Sequence, residues 1–286
     1  MKNEMYDKIK GALYGVAIGD ALGGPLEFMS AEEIKEEHGL VTEMIGGGWL
    51  DLNPGETTDD TAMTMCVAYG ILENPSIPYQ AIGRRFIEWK AGGPKDIGTT
   101  CALAIDYAQN CCNNDWWEAA HLAEDQMHGR SDGNGALMRT IYPALYYKDE
   151  KKRRLVTRGI ALMTHTGKES AKICEEYVDL VAGAINGRVF PYYFSEKRKP
   201  TGYVLDSYVN ALQAITGTGS FEEAVINAVN RGGDADTIGA IAGGLAGAIY
   251  GYEEIPQRWI DELPEGIKIQ LDMFAQRAYE QQTEEE

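Results

Sequence analysis

Two short acidic segments each lead into an apolar run of helical character. Gly55-Glu56-Thr57-Thr58-Asp59-Asp60-Thr61 precedes Ala62-Met63-Thr64-Met65-Cys66-Val67-Ala68, and Gly232-Gly233-Asp234-Ala235-Asp236-Thr237 precedes an equally apolar stretch. Two further acids, Asp20 and Glu27, stand at and just beyond the end of an apolar run near the start of the chain. One Thr or Asp suffices to cap a helix N-terminus and complement its dipole, yet each segment supplies two aspartates flanked by threonines. Acids gathered at the mouths of buried helices are unfavourable unless a cation compensates them. Carboxylates and hydroxyls without His or Cys form an all-oxygen donor set, suited to Mg²⁺, Mn²⁺ or Ca²⁺ rather than zinc or copper. The carboxylates of Glu27, Asp59, Asp60, Asp234 and Asp236 carry more charge than one divalent ion needs, so two ions are expected. The histidines, His38, His121, His128 and His165, show no HExxH or paired spacing, which argues against a zinc hydrolase.

A third segment, Ser131-Asp132-Gly133-Asn134-Gly135-Ala136-Leu137-Met138-Arg139, is a glycine-rich loop running into apolar sequence. Such a loop offers backbone N–H groups to a phosphate, or serves as a plain turn. It lacks the Gly-Lys-Ser/Thr of a Walker A motif, and Met138 stands where G-x-G-x-x-G requires its last glycine. His165, in Thr164-His165-Thr166, precedes a helix and by itself reads as a locally satisfied histidine.

The elements that must position these residues are helices. Residues 5–18, 58–73, 77–90, 99–110, 115–127, 168–186, 203–216, 221–230, 237–250 and 265–280 read as helical, several with apolar residues at i, i+3, i+4 and i+7. In 168–186, Ala171, Cys174, Val178, Val181, Ala182 and Ile185 form one apolar stripe, and Thr166 with Glu169 reads as a capping box at its start. Hairpin signals are few. Glycines recur every fourth residue at Gly11, Gly15, Gly19 and Gly23, and again at Gly239, Gly243, Gly247 and Gly251. That spacing keeps them on one helix face, where another backbone can approach closely. The expected fold is all-α: a single compact multi-helix domain over 1–286, frayed at 281–286, with a binuclear metal site at the mouths of buried helices.

Composition narrows the function. Lys and Arg number 26 against 44 Asp and Glu, a net charge of −18, and 44% of the residues are hydrophobic. So acidic a chain is repelled by phosphate backbones. Its basic runs, 151–154 and 197–199, read as polar connections, so no nucleic-acid partner is expected. Five cysteines without a C-x-x-C pair suggest neither a disulfide framework nor a zinc knuckle. The first ten residues lack an apolar signal-peptide core, and the apolar stretches at 11–18 and 238–250 are shorter than the ~20 residues of a membrane span. A cytoplasmic monomer without membrane contact is expected.

Taken in order, the motifs Gly19-Asp20-Ala21-Leu22-Gly23 with Glu27, Thr58-Asp59-Asp60-Thr61, Gly133-Asn134-Gly135-Ala136-Leu137-Met138-Arg139, Thr164-His165 and Gly233-Asp234-Ala235-Asp236-Thr237 resemble those of the ADP-ribosylglycohydrolases. The bacterial, dinitrogenase-reductase-activating branch is the most similar. The resemblance implies an all-α fold and two divalent cations, Mg²⁺ or Mn²⁺. It also implies cleavage of the glycosidic bond between ADP-ribose and a protein side chain, arginine favoured, by a metal-activated water. The partners implied are an ADP-ribosylated protein and the product ADP-ribose. Carried over by position, Thr58, Asp59, Asp60, Asp234, Asp236 and Thr237 are the implied metal ligands. Glu27 would stand at the ions or beside them as acid/base, with Asp60 the other acid/base choice. Asp96, in a segment where Thr99 replaces the asparagine common in that branch, is implied near the scissile ribose. Ser131, Gly133, Asn134, Gly135, Met138 and His165 are implied to hold the diphosphate and riboses. The alternatives are a two-metal nucleotide phosphohydrolase and a non-catalytic ADP-ribose-binding member of the fold.

Overall fold

The computed structural model describes residues 4–188 and 197–284; Glu285 and Glu286 of the tail expected to fray lie outside it. The helices in chain order are α1 (Glu4–Gly23), α2 (Ala31–Glu37), α3 (Asp59–Glu73), α4 (Tyr79–Ala91), α5 (Thr99–Asn110), α6 (Trp116–Gln126) and α7 (Tyr142–Tyr146). They continue as α8 (Glu150–Leu162), α9 (Lys168–Ile185), α10 (Val204–Ile215), α11 (Phe221–Val229), α12 (Ala235–Tyr250), α13 (Gln257–Glu262) and α14 (Glu265–Thr283). Among the described residues no sheet forms; only isolated bridges occur, one of them joining Ser30 to Gly232. No described helix is long and apolar enough to cross a membrane.

The central feature is the contact of α1 with α12 along their glycine faces. A methyl carbon added at Gly15 would lie 2.0 Å from the Gly243 carbonyl oxygen, and one at Gly19 would lie 2.0 Å from that of Gly239. One at Gly247 would meet the Gly11 oxygen at 2.0 Å. No side chain fits at that separation, which is the packing reason for accepting about 1 kcal/mol of lost helix propensity at each glycine. Gly11 faces Gly247 while Gly23 faces Ala235, so the two helices run antiparallel. The C-terminal end of α1, carrying Asp20, therefore meets the N-terminal end of α12, carrying Asp234 and Asp236. The other helices pack around this pair in one core that takes in Val67, Ile105, Leu145, Val178, Leu212 and Phe274.

Three local expectations are corrected. The basic run 151–154 is not a connection but the first turns of α8, capped by Asp149, whose side chain accepts from Lys152 N. Val156, Ile160 and Ala161 are buried beneath its charged outer face, and Arg153 pairs with Asp179 of α9 at 2.9 Å. The capping box at Thr166 and Glu169 does not form: the N-cap of α9 is Gly167, and the Thr166 hydroxyl is buried without a partner. Asp132, from the glycine-rich loop, instead accepts from Ser170 N at 3.3 Å and fills the space a Gly167 side chain would need. The tail also begins inside a helix, for α14 continues to Thr283 and Gln282 donates to the Leu145 carbonyl at 2.9 Å.

Candidate active site

Asp20 assembles the acidic cluster without entering the cavity. It is fully buried at the end of α1 and accepts from Thr58 N at 3.0 Å, Thr58 Oγ1 at 2.9 Å, Thr61 N at 3.0 Å and the Thr61 hydroxyl. One carboxylate thus satisfies the first turn of α3 and pins it to the α1–α12 pair. Burial pushes Asp20 up to about 6 against those four hydrogen bonds, which pull it down. Thr58 also caps α3 by accepting from Asp60 N. Asp234, at the N-cap of α12, makes no side-chain capping bond. Asp59, Asp60 and Asp234 are therefore free of the capping duty that would otherwise explain them, while Asp236 Oδ1 accepts from Thr237 N at 2.8 Å.

Asp60 is 0% exposed; its Oδ2 accepts from Thr237 Oγ1 at 3.2 Å, and its Oδ1 is buried with no partner. Burial holds Asp60 well above the usual carboxylate range, reinforced by Asp20, Asp59 and Asp234. Asp236 is raised for the same reason, with Asp234, Asp60 and Glu27 adding repulsion. Glu27, Asp234 and Asp236 each offer a carboxylate oxygen within 4.8 Å of the other two. Asp59 accepts from Gly98 N at 3.2 Å and is raised by burial and by Asp96. Asp96 is likewise raised, chiefly by burial, with Asp234 adding to the rise.

The segment after Glu27 is fixed by backbone pairing to the glycines ahead of Asp234. Phe28 N donates to the Gly233 carbonyl at 2.7 Å, and Gly233 N to that of Met29 at 2.6 Å. Phe28 is thereby held at φ 67°, a conformation rare for a bulky side chain. Trp49 Nε1 donates to Glu27 Oε2 at 2.7 Å. Burial pushes Glu27 up to about 8, with Asp96, Asp234 and Asp20 adding to the rise and Trp49 opposing it.

These acids form one wall of a cavity of about 490 Å³. Its lining includes Glu27, Asp59, Asp96, Gly133, Asn134, Gly135, Met138, His165, Asp234, Asp236 and Thr237 from the residues singled out in the sequence. Thr58, Asp60 and Ser131 are not in the lining. Thr58 and Asp60 lie beneath the acidic wall, whereas Ser131 is buried with an unpartnered hydroxyl. Asn134 directs its amide to protein, donating to Asp234 Oδ2 and Ser207 Oγ at 2.8 Å each. Sequence reasoning missed Phe28, Trp49, Gly98, Cys101 and Gly202, which also face the cavity. Phe28 and Trp49 are 69% and 54% exposed, with ring centroids 5.5 Å apart. Their nearest sequence signal is the Gly46-Gly47-Gly48 turn before Trp49, with positive φ at all three glycines.

In the same lining, Gly133 and Gly135 pack on His165, whose neutral form is favoured: burial and the nearby Arg139 push it down to about 3. The site is thus a cavity of an all-α bundle, lined by acids at converging helix ends and by a glycine-rich loop with a neutral histidine. The ADP-ribosylglycohydrolase family model matches residues 1–199 and 189–286. The chain is 31% identical to the ADP-ribosyl-[dinitrogen reductase] glycohydrolase of Rhodospirillum rubrum, covering 93% of this chain and 94% of that one. It is 30% identical to an ADP-ribosylarginine hydrolase of Serratia proteamaculans (strain 568), covering 94% of this chain and 78% of that protein. A solved structure titled ADP-ribosylglycohydrolase-related protein complex superposes with a TM-score of 0.82 at 29% identity, over 97% of this chain and 99% of the other. The chain belongs to the ADP-ribosylglycohydrolase family and is a hydrolase of that type.

Proposed function

We propose that this enzyme hydrolyses the N-glycosidic bond between ADP-ribose and an arginine side chain of a modified protein, with Mg²⁺ or Mn²⁺ as cofactor. The observation that carries the reading is one cavity lined both by carboxylates and by the Gly133–Gly135 loop with His165. A nucleoside diphosphate sugar needs both: hydroxyl and anomeric chemistry at one end, anion recognition at the other.

The acidic wall fits divalent cations. Its donors are all oxygen, and Asp60 Oδ1 is a buried carboxylate oxygen with no protein partner. Thr58, Asp59, Asp60, Asp234, Asp236 and Thr237, with Glu27 alongside, would hold two such ions. When bound, the ions would supply charge stabilisation to the ribose hydroxyls and lower the pKa of a water. In the hydrolysis the oxygen of water joins the anomeric carbon as the C–N bond breaks, and a water proton ends on the leaving nitrogen. Glu27, oriented by Trp49, and Asp96, which lines the same cavity, are the carboxyl groups placed to move that proton.

Arginine is preferred because a guanidinium leaves with modest proton assistance, whereas a serine alkoxide needs a firm general acid. The exposed Phe28–Trp49 pair beside Glu27 and Asp96 also suits a planar cation. Two of the relatives, moreover, are named for arginine or dinitrogen-reductase substrates. The same reading makes the protein a cytoplasmic monomer. Matched arginine- and serine-ADP-ribosylated peptides, incubated with and without divalent metal, test it. Metal-dependent release of free ADP-ribose, faster from the arginine conjugate, is expected. Faster release from the serine conjugate overturns the linkage, and AMP or phosphate as product overturns the reaction class.

A further inference from the structure

His165 lines the cavity, and its function depends on which ring nitrogen carries the proton. The hydrogen bonds behind it decide that. Arg139 is 0% exposed and donates through Nη2 to Thr164 Oγ1 at 2.7 Å and to the Ile160 carbonyl at 3.1 Å. Through Nη1 it donates to the Gly135 carbonyl at 2.8 Å and Cys101 Sγ at 3.3 Å. A guanidinium has only donors, so the Thr164 oxygen must accept from it. The same oxygen lies 2.7 Å from His165 Nδ1. Thr164 has one proton to give. The bare imidazole nitrogen is the strong acceptor beside it, so that pairing satisfies both groups and the proton goes to Nδ1. Nδ1 is then the bare nitrogen, and the ring's own proton sits on Nε2.

Nε2 faces the glycine-rich loop: a methyl carbon at Gly133 or at Gly135 would lie 3.5 Å from it. The absence of side chains at both positions keeps that edge of the imidazole open on the cavity side. We propose that Arg139 and Thr164 lock His165 in the neutral Nε2–H form, making it a fixed hydrogen-bond donor to an anionic oxygen of a nucleoside diphosphate in the cavity. Arg139 and Thr164 are positioning residues; His165 alone meets the ligand. The low His165 pKa agrees with a neutral ring. The donor role rests on the reading of the cavity as an ADP-ribose site, whereas the tautomer does not.

Long-range ¹H–¹⁵N correlation on the labelled full chain, with the ring assigned by His165→Gln, reads the tautomer directly. Wild type is expected to show bare Nδ1 and protonated Nε2 between about pH 5 and pH 8. In Thr164→Val the Nδ1–H form should appear, and ADP-ribose, measured by calorimetry, should bind about tenfold more weakly, the size of one hydrogen bond to a charged acceptor. Thr164→Ser should restore both. An Nδ1–H ring in wild type or in Thr164→Ser overturns the lock, even if the valine variant fails to fold. So does a valine variant that keeps both the tautomer and the affinity. A wild-type protein with the Nε2–H ring but no affinity for ADP-ribose overturns the donor role together with the cavity's assignment.

Discussion

The acidic cluster and the region around the glycine-rich loop meet the problem of buried polarity in opposite ways. On the acidic wall, Asp59, Asp60 and Asp236 are desolvated close to one another, and all three are held above the usual carboxylate range. Around the glycine-rich loop a buried guanidinium, Arg139, is hydrogen-bonded to carbonyl, hydroxyl and thiol groups, and a buried histidine is kept neutral. The acids repel one another, whereas the guanidinium is satisfied by neutral acceptors. Groups of that kind are costly to bury, and ligands of opposite sign relieve them. On the proposed function, cations at the acids and a diphosphate near the loop would complete the electrostatic balance of the fold.

The sharpest way to break this contrast is to neutralise one acid without changing its shape. In Asp60→Asn and Asp236→Asn we expect turnover to fall by about three orders of magnitude or more, with far-ultraviolet circular dichroism unchanged. Asparagine caps helices as well as aspartate does, so near-normal turnover in both variants would return these residues to a capping role. Wild type should gain thermal stability on adding Mn²⁺ or Mg²⁺, because the ion binds only the folded chain. Chelator should reverse that gain, and the two variants should show little of it.

A second break acts on the scaffold of the acidic wall. The antiparallel glycine seam is what brings Asp20 to Asp234 and Asp236, and at Gly243 a methyl carbon would fall 2.1 Å from the Gly15 carbonyl. Gly243→Leu should destabilise the protein by about 3 kcal/mol or more, the upper range for overpacking. Thermal unfolding measures it, and an unchanged Tm would mean that the seam opens without penalty.

The region around the glycine-rich loop has its own pH signature. A histidine depressed in the folded state to about 3 takes up its proton on unfolding at an ordinary 6.5. Its contribution to stability is therefore complete above pH 6.5 and is lost as pH falls toward 3. In that window it alone adds a slope of about 1.4 kcal/mol per pH unit. Chemical denaturation of wild type and His165→Asn at several pH values isolates it, since every other group cancels in the difference. The variant should lose stability less steeply with acid. Parallel profiles would show that His165 is charged in the fold, which the hydrogen bond from Thr164 forbids.

Much of this contrast was legible before any coordinates, and what was not has physical reasons. The acids and the glycine repeat lie in contiguous motifs whose spacing reports one helix face, so α1, α3 and α12 could be read with their functional ends. α8 was missed because Lys151, Lys152 and Arg154 put charge on its outer face and Val156 and Ile160 leave only a narrow apolar stripe. The capping box was placed at the wrong helix: Ser30 and Glu33 form a complete one at α2, while at Thr166 a residue distant in sequence, Asp132, takes the role. Phe28 and Trp49 were invisible for the same reason, since a positive-φ residue and a three-glycine turn bring them together across space. No local spacing encodes that meeting.

That pair carries the smallest and most informative effect. Phe28 touches neither Asp60 nor His165 in the hydrogen-bond network, and its ring is largely exposed at the mouth beside the acidic wall. If it reads the guanidinium of the modified arginine, Phe28→Ala removes a cation–π contact of about 1 kcal/mol. KM for an arginine conjugate should then rise about fivefold, with kcat little changed because the reacting groups stay in place. Alanine keeps the backbone strain at φ 67°, so folding energetics are not relieved as they would be by glycine. ADP-ribose itself lacks the guanidinium, so its affinity should be the same in both proteins, and Phe28→Tyr should restore KM. Weakened ADP-ribose binding with unaltered discrimination between arginine and serine conjugates would instead assign the ring pair to the adenine. The mouth would then belong with the glycine-rich loop, and arginine preference would have to arise from Glu27 and Asp96 alone.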